Sequence, residues 1–230
     1  MSWFLGFRGL RDSRARLVGV HRGKSQLTWT GRLLALTVTL GSVVGCATGS
    51  TGQPVAISSG DDPAAYAPYT YDPVEPAPPL DLIDQTGARF SLTQLRGKTA
   101  LVSFGYSHCP DVCPTTLAID RDVLLQRGSD AAVVFVTIDP ARDTSAALTE
   151  YLKYFGAPMI GLTGSDAAIA ATAAAWHVGY EKGEVSANGS YSMTHTAGTF
   201  VVDPAGNLRF LYPYATPANV LVGAIDGLTR

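Results

Sequence analysis

The sequence has few cysteines, few charges and no apolar run long enough to cross a membrane. Only 3 of its 230 residues are cysteine and 16% are charged, while 46% are hydrophobic. Residues 46–230 carry 10 Lys and Arg against 18 Asp and Glu, a formal net charge of −8. This shortage of positive charge argues against nucleic acid as a partner. The length suits one good-sized core with appendages and is short for two full domains.

The pattern of the first 45 residues predicts a bacterial export signal. Residues 1–32 are basic, and an apolar run at residues 33–45 follows. Its thirteen residues fall short of the roughly 18 of a spanning helix but suit the apolar core of a signal peptide. The following Cys46 completes a Val-Val-Gly-Cys sequence that resembles a lipobox, which predicts cleavage before Cys46 and a lipid on it. The alternatives are an uncleaved short anchor, or an ordinary signal peptide with an incidental cysteine.

A linker and one folded domain are expected after the signal. Residues 47–79 contain seven prolines and no Lys or Arg, so the segment 46–79 is predicted to be a lipidated cysteine followed by a disordered linker. Residues 80–230 alternate strand-like and helix-like patterns. Two apolar runs, 99–106 and 131–138, flank a single helical segment that ends near Arg127, which predicts a parallel βαβ unit. The fold class is therefore α/β, with a mixed central sheet flanked by helices.

The candidate chemistry lies at one edge of this sheet. Cys109 and Cys113 follow the first buried strand, Asp139 follows the second, and His195 precedes an antiparallel strand predicted at 199–202. Because ligand sites in open α/β sheets gather at the carboxyl ends of the parallel strands, these residues are expected to converge.

The spacing Cys-x-x-x-Cys at the start of a helix predicts thiolates, because the helix N-terminus lowers a thiol pKa. A structural disulfide is disfavoured, since so short a loop constrains the unfolded chain little. Metal binding and thiol–disulfide exchange remain open on this reasoning. Two thiolates and one imidazole make a soft site that favours Cu(I) and tolerates Cu(II). Zinc is the competitor, with Asp139 or water as a fourth ligand.

Four motifs in order resemble the Sco/SenC family over roughly residues 80–230. They are YSHCPDVCPTTL (residues 106–117), DPARDT (139–144), GLTG (161–164) and YSMTHTA (191–197). The resemblance implies a thioredoxin-like fold outside the cytoplasm that binds one copper ion through two cysteines and a histidine. It also implies a role in assembling the dinuclear copper site of cytochrome c oxidase, by metal delivery, thiol reduction or both. The partner would be a copper-receiving oxidase subunit or another cuproprotein.

Carried onto this chain, the resemblance assigns the copper ligands to Cys109, Cys113 and His195. Asp139 becomes an acidic neighbour that tunes binding or docking without ligating. One departure is Thr194, where the family often has Asp before its histidine, which weakens any claim for a carboxylate at that point. The lipid on Cys46 would replace the single spanning helix of other members and hold the protein at the extracytoplasmic face of the membrane.

Two rival functions stay open. One is a thiol–disulfide oxidoreductase or peroxide-handling protein with the same fold, in which His195 has no ligand role. The other is a secreted domain stabilised by zinc, which would unfold on chelation. The first interpretation, a copper-binding assembly factor, is not an enzyme in the turnover sense, although thiol–disulfide reductase activity is compatible with it.

Overall fold

The computed structural model describes residues 63–228, and this range folds around a large mixed sheet. Ten strands and four α-helices occur within it. The strands are β1 (Tyr69–Pro76), β2 (Leu82–Asp84), β3 (Arg89–Phe90), β4 (Thr99–Gly105), β5 (Ala131–Thr137), β6 (Ile160–Thr163), β7 (Tyr180–Lys182), β8 (Met193–His195), β9 (Gly198–Val202) and β10 (Asn207–Pro213). The helices are α1 (Val112–Arg127), α2 (Ser145–Lys153), α3 (Asp166–Ala175) and α4 (Ala218–Leu228).

Eight strands form the main sheet in the order β1-β10-β9-β4-β5-β6-β2-β3. β4, β5 and β6 run parallel, whereas β9 pairs with β4 in the antiparallel direction. Every residue of β4 and β5 is buried, as their continuous apolar runs predict for strands covered on both faces. The α/β prediction with a mixed sheet flanked by helices is confirmed.

The register of the central strands defines the edge where the predicted site lies. Gly105 at the end of β4 is opposite Thr137 at the end of β5, and Ser103 is opposite Thr199 near the start of β9. The carboxyl ends of two parallel strands and the amino end of an antiparallel strand therefore meet at one edge. The connections that follow β4 and β5 and the one that precedes β9 all begin or end there.

The predicted boundary of the linker at residue 79 is wrong. β1 pairs antiparallel with β10, with a register irregularity between Thr70 and Glu75. Prolines are compatible with this strand because it lies at the edge of the sheet, where a missing backbone N–H need not break a ladder. The predicted signal peptide, its lipobox, Cys46 and residues 46–62 lie outside the described residues. Between residues 63 and 228, no helix combines the length and the apolar character that crossing a membrane requires.

The segment after β7 was predicted as a polar loop, but it contains β8. This three-residue strand pairs antiparallel with β7, placing Tyr180 opposite His195, and the two form a small sheet separate from the main one. The strand was missed because so short a segment with exposed or half-buried residues leaves no clear apolar alternation. His195 therefore lies on a hairpin and not in an irregular loop.

A carboxyl group lies in the core behind this edge. Asp120 on α1 is fully buried, and its Oδ1 accepts a bond of 3.3 Å from Thr199 Oγ1. No group within the described range bonds its Oδ2, nor the buried Oγ of Ser103, the residue opposite Thr199 on β4. Burial disfavours the charged form, so it raises the pKa of Asp120 to about 7.

We expect Asp120 to make the folded protein less stable as the pH rises. An unfolded Asp titrates near 3.9, so the folded state binds the proton more tightly and ionisation opposes folding. The free energy of unfolding should fall between pH 4 and pH 8, by up to about 4 kcal/mol from this group. Urea unfolding at several pH values should show that Asp120→Asn removes this decline. Asp122→Asn, on the same helix but half-buried at the surface, is the control; equal pH dependence in both variants would contradict the assignment.

Candidate metal centre

The connection from β4 to α1 carries both predicted thiols. After Gly105 the chain makes a turn in which the Cys109 amide donates to the Tyr106 carbonyl at 3.2 Å. α1 then begins at Val112, so Cys113 lies in its first turn. The Cys113 amide donates to Cys109 Sγ at 3.3 Å, which places the first sulfur over the start of the helix. Both residues are free thiols; Cys109 is half-buried and Cys113 is buried.

Gly105 makes room for the second sulfur. A Cβ atom at this position would lie 2.7 Å from Cys113 Sγ and 2.8 Å from the Phe135 ring. Neither distance is compatible with van der Waals contact, and both neighbours are buried. The absence of a side chain at the end of β4 therefore allows Cys113 to pack directly against the sheet.

The expectation that the helix N-terminus lowers the thiol pKa is wrong for Cys113. Burial raises its pKa, and the nearby Cys109 adds to that effect; a hydrogen bond from the Tyr106 backbone opposes it without reversing it. Desolvation outweighs the helix N-terminus because Cys113 is only 3% exposed. Cys113 is therefore a thiol in the metal-free protein at neutral pH.

His195 faces this thiol from the end of β8. Its Nε2 lies 3.5 Å from Cys113 Sγ, although the two residues are 82 positions apart. Its Nδ1 lies 2.9 Å from the Thr196 carbonyl oxygen, which can only accept, so Nδ1 carries the proton. In the neutral imidazole, Nε2 then has the lone pair and faces the sulfur. This is the tautomer in which Nε2 can ligate a metal ion. The edge of the Tyr106 ring also contacts the imidazole, at 6.3 Å between centroids.

The three predicted ligands are close but are not arranged around a single point. Among residues 63–228, no group of three His, Cys, Asp or Glu side chains is already placed to hold a metal ion. The structure brings Cys113 together with His195, and it brings Cys109 to the backbone of Cys113. An ion between Cys113 and His195 would therefore gain its third protein ligand by rotation of the half-buried Cys109 side chain. The soft donors present fit copper under this rearrangement.

Asp139 lies beside the site, with both carboxylate oxygens already occupied. It is 5% exposed, and it accepts from Arg142 Nε on one oxygen and from the Tyr191 hydroxyl at 2.9 Å on the other. These contacts hold the carboxylate in place, and the expectation that Asp139 acts on the site without ligating stays a prediction.

Asp143 is a site residue that sequence reasoning missed. It is fully buried and accepts from the Ser107 amide at 3.0 Å, from the Ser107 hydroxyl, and from Thr137 Oγ1 at 2.7 Å. It thereby ties the end of β5 to the connection that carries the thiols. Its position in the same short motif as Asp139, just after a buried strand, was the available signal. Sequence reasoning also assigned no role to Arg142 and Tyr191, although both lie within the quoted motifs.

The fold and the site define a class: a thioredoxin-like domain in which a Cys-x-x-x-Cys pair at the start of a helix faces a histidine. Residues 71–230, more than half of the chain, match the family model described as SCO1/SenC. The chain therefore belongs to the SCO1/SenC family, and the predicted family and thioredoxin-like fold are confirmed.

Named relatives agree with this membership. The chain is 35% identical over 151 residues to the SCO2-like protein of Rickettsia felis, covering 62% of this chain and 72% of that protein. It is 39% identical over 149 residues to Protein SenC of Rhodobacter capsulatus, covering 62% and 66%. Among solved structures, Arabidopsis thaliana ScoI with copper bound superposes with a TM-score of 0.60 at 33% identity, covering 67% of this chain and 98% of that one.

We expect Cys109 to react with alkylating agents before Cys113. The thiolate is the nucleophile, and Cys113 is both shielded and held in its protonated form. In the reduced native protein, iodoacetamide should label Cys109 at least about tenfold faster, as followed by peptide mass spectrometry. Unfolding in urea should remove the difference. Preferential labelling of Cys113 in the native state would contradict the burial described here.

Proposed function

We propose that this protein is an extracytoplasmic copper chaperone that holds one copper ion through Cys109, Cys113 and His195. It assists assembly of the dinuclear copper site of cytochrome c oxidase or of another cuproprotein. The observation that carries the proposal is the 3.5 Å contact between Cys113 Sγ and Nε2 of His195. Family membership supports it, because a solved relative is a ScoI with copper bound.

The donor set suits copper as a cargo that is received and passed on. Two sulfurs and one imidazole match the preference of Cu(I), and the imidazole also accommodates Cu(II). Binding would displace the Cys113 proton, because a coordinating thiol is deprotonated. Delivery would proceed by ligand exchange with the cysteines of a receiving protein, so no chemical turnover is involved. The −8 charge of residues 46–230 agrees with a protein partner and not with nucleic acid.

The role of His195 distinguishes this function from its main rival. Loading the purified, reduced full chain with Cu(I) should give one equivalent bound, and His195→Ala should weaken binding by more than the about 10–100-fold typical of a supporting residue. The variant should retain exchange with a small disulfide. His177→Asn is the control, because this exposed histidine has a φ of 55°, which asparagine tolerates. Unchanged copper affinity in His195→Ala would refute the proposed ligand set.

The second candidate function is thiol–disulfide exchange with the cysteines of a cuproprotein. The observation in its favour is that both thiols are free and that Cys109 Sγ lies 3.3 Å from the Cys113 amide. The more exposed Cys109, as thiolate, would attack a disulfide of the cuproprotein and release one partner thiolate, leaving a mixed disulfide. Cys113, once deprotonated, would then attack Cys109 Sγ, release the second partner thiolate and close the Cys109–Cys113 disulfide. This activity uses the same two residues as copper binding, so the His195→Ala comparison separates the two functions.

We also propose that a lipid on Cys46 tethers the protein to the membrane. The support is the sequence alone, the apolar run at 33–45 followed by Val-Val-Gly-Cys. Cys46→Ser in the full chain should move the protein from the membrane fraction to the soluble fraction, and intact-mass measurement should show loss of the lipid. Copper binding should not change, because Cys46 is not among the proposed ligands. Membrane association that persists in the variant would refute the tether.

A further inference from the structure

The strand that carries His195 belongs to a hairpin with little support of its own. β7 and β8 pair only with each other, and neither joins the eight-stranded sheet. Isolated two-stranded hairpins are marginally stable in water. Since His195 ends β8, the distance between its imidazole and Cys113 depends on what fixes the hairpin to the rest of the domain.

Tyr180 and Met193 of the hairpin pack against the core, and polar contacts with the connection that follows β5 add to this fixation. The Tyr191 hydroxyl donates to Asp139 Oδ1 at 2.9 Å, and Arg142 Nη1 donates to the Tyr191 carbonyl at 3.0 Å. The Arg142 guanidinium also lies over the Tyr191 ring, 3.6 Å from its centroid. Arg142 in turn is bonded to Asp139 through Nε. We call Asp139, Arg142 and Tyr191 the hairpin anchor.

Two further contacts continue the anchor toward the metal site. The Met193 amide donates to the Tyr106 hydroxyl at 3.2 Å, and the Tyr106 ring contacts the imidazole of His195. Arg142 lies 5.6 Å from the centroid of that same ring. Lys182 on β7 lies over the Tyr191 ring at 3.8 Å, which ties the two strands of the hairpin together at this point. Tyr191, just before β8, and Met193 and His195 within β8 are thus held at alternate positions of one segment.

We propose that the hairpin anchor sets how readily His195 separates from the two cysteines, and thereby how fast a bound copper ion is passed on. This inference rests on the proposed copper-chaperone function. Arg142 and Tyr191 are positioning residues that act through His195, while the cysteines lie on a different connection, fixed by Asp143. Loss of the anchor would free the imidazole first and leave the ion on two sulfurs, open to the cysteines of a receiving protein.

The test compares Tyr191→Leu, Tyr191→Phe and the control Tyr154→Leu in the full chain. Tyr191→Leu removes the stacked ring and the hydroxyl, whereas Tyr191→Phe keeps the ring over Arg142 and loses only the bond to Asp139. Tyr154 is 87% exposed and distant in sequence from the anchor. Hydrogen exchange followed by mass spectrometry measures the protection of the hairpin in the metal-free protein. The rate at which Cu(I) is lost to a competing chelator measures the effect of the anchor on the bound ion.

In the metal-free protein, Tyr191→Leu should speed exchange of the segment 190–196 about tenfold, equivalent to about 1.4 kcal/mol. β4 and β5 should keep their protection, which shows that the domain remains folded. The copper-loaded variant should lose its ion about tenfold faster. Tyr191→Phe, which keeps the ring over Arg142 but loses the bond to Asp139, should fall between Tyr191→Leu and the wild type, and Tyr154→Leu should match the wild type.

Three results would overturn the proposal, in distinguishable ways. Unchanged exchange at 190–196 in Tyr191→Leu would show that the anchor does not hold the hairpin, whether or not the rate of copper loss changes. Faster exchange with unchanged copper loss would refute its influence on the cargo. A wild-type chain that binds no copper would refute the proposed function and with it the role in transfer, while the exchange data would still decide whether the anchor holds the hairpin.

Discussion

The contact between Cys113 and His195 is the constraint on which the site depends. It joins the first turn of α1 to the end of β8, a strand that pairs only with β7 and lies outside the main sheet. The sulfur reaches this position because Gly105 leaves space at the end of β4, and the imidazole reaches it because its hairpin is held to the connection after β5. The sulfur is positioned at the end of β4 and the imidazole by the connection after β5. Because both lie at the same edge of the main sheet, this edge determines the geometry of the site.

Burial gives the two sulfurs different chemistry. Cys113 is buried with a raised pKa, whereas Cys109 is half-buried beside it. In the proposed ligand set, a proton on Cys113 would compete with an incoming ion, and an ion with high affinity for sulfur would displace it best. The proposed site would therefore favour soft cations over hard ones through desolvation as well as through its donor atoms. The helix N-terminus, which the sequence analysis expected to lower the thiol pKa, is the weaker of the two effects at this position.

More of the fold than of the candidate site could be predicted from the sequence. The buried strands β4 and β5 follow directly from uninterrupted apolar runs, and the convergence of Cys109, Cys113 and His195 follows from the topology of an open α/β sheet. β1 was missed because prolines indicate disorder unless the strand is known to lie at an edge. The roles of Asp143, Arg142 and Tyr191 depend on contacts across 36 to 52 positions, which no local pattern records.

The arrangement also separates two demands that a copper chaperone must meet. Holding the ion requires three ligands at short range, and releasing it requires one of them to leave at little cost. In this structure the cysteines lie on a connection fixed by a fully buried carboxylate, Asp143, whereas the histidine lies on a two-stranded hairpin outside the main sheet, held in part by the half-buried Arg142 and Tyr191. Free energies of local opening are smallest where few buried contacts must break. In the proposed copper site, the imidazole is therefore the ligand that should move first, and the sulfurs would form the stable part.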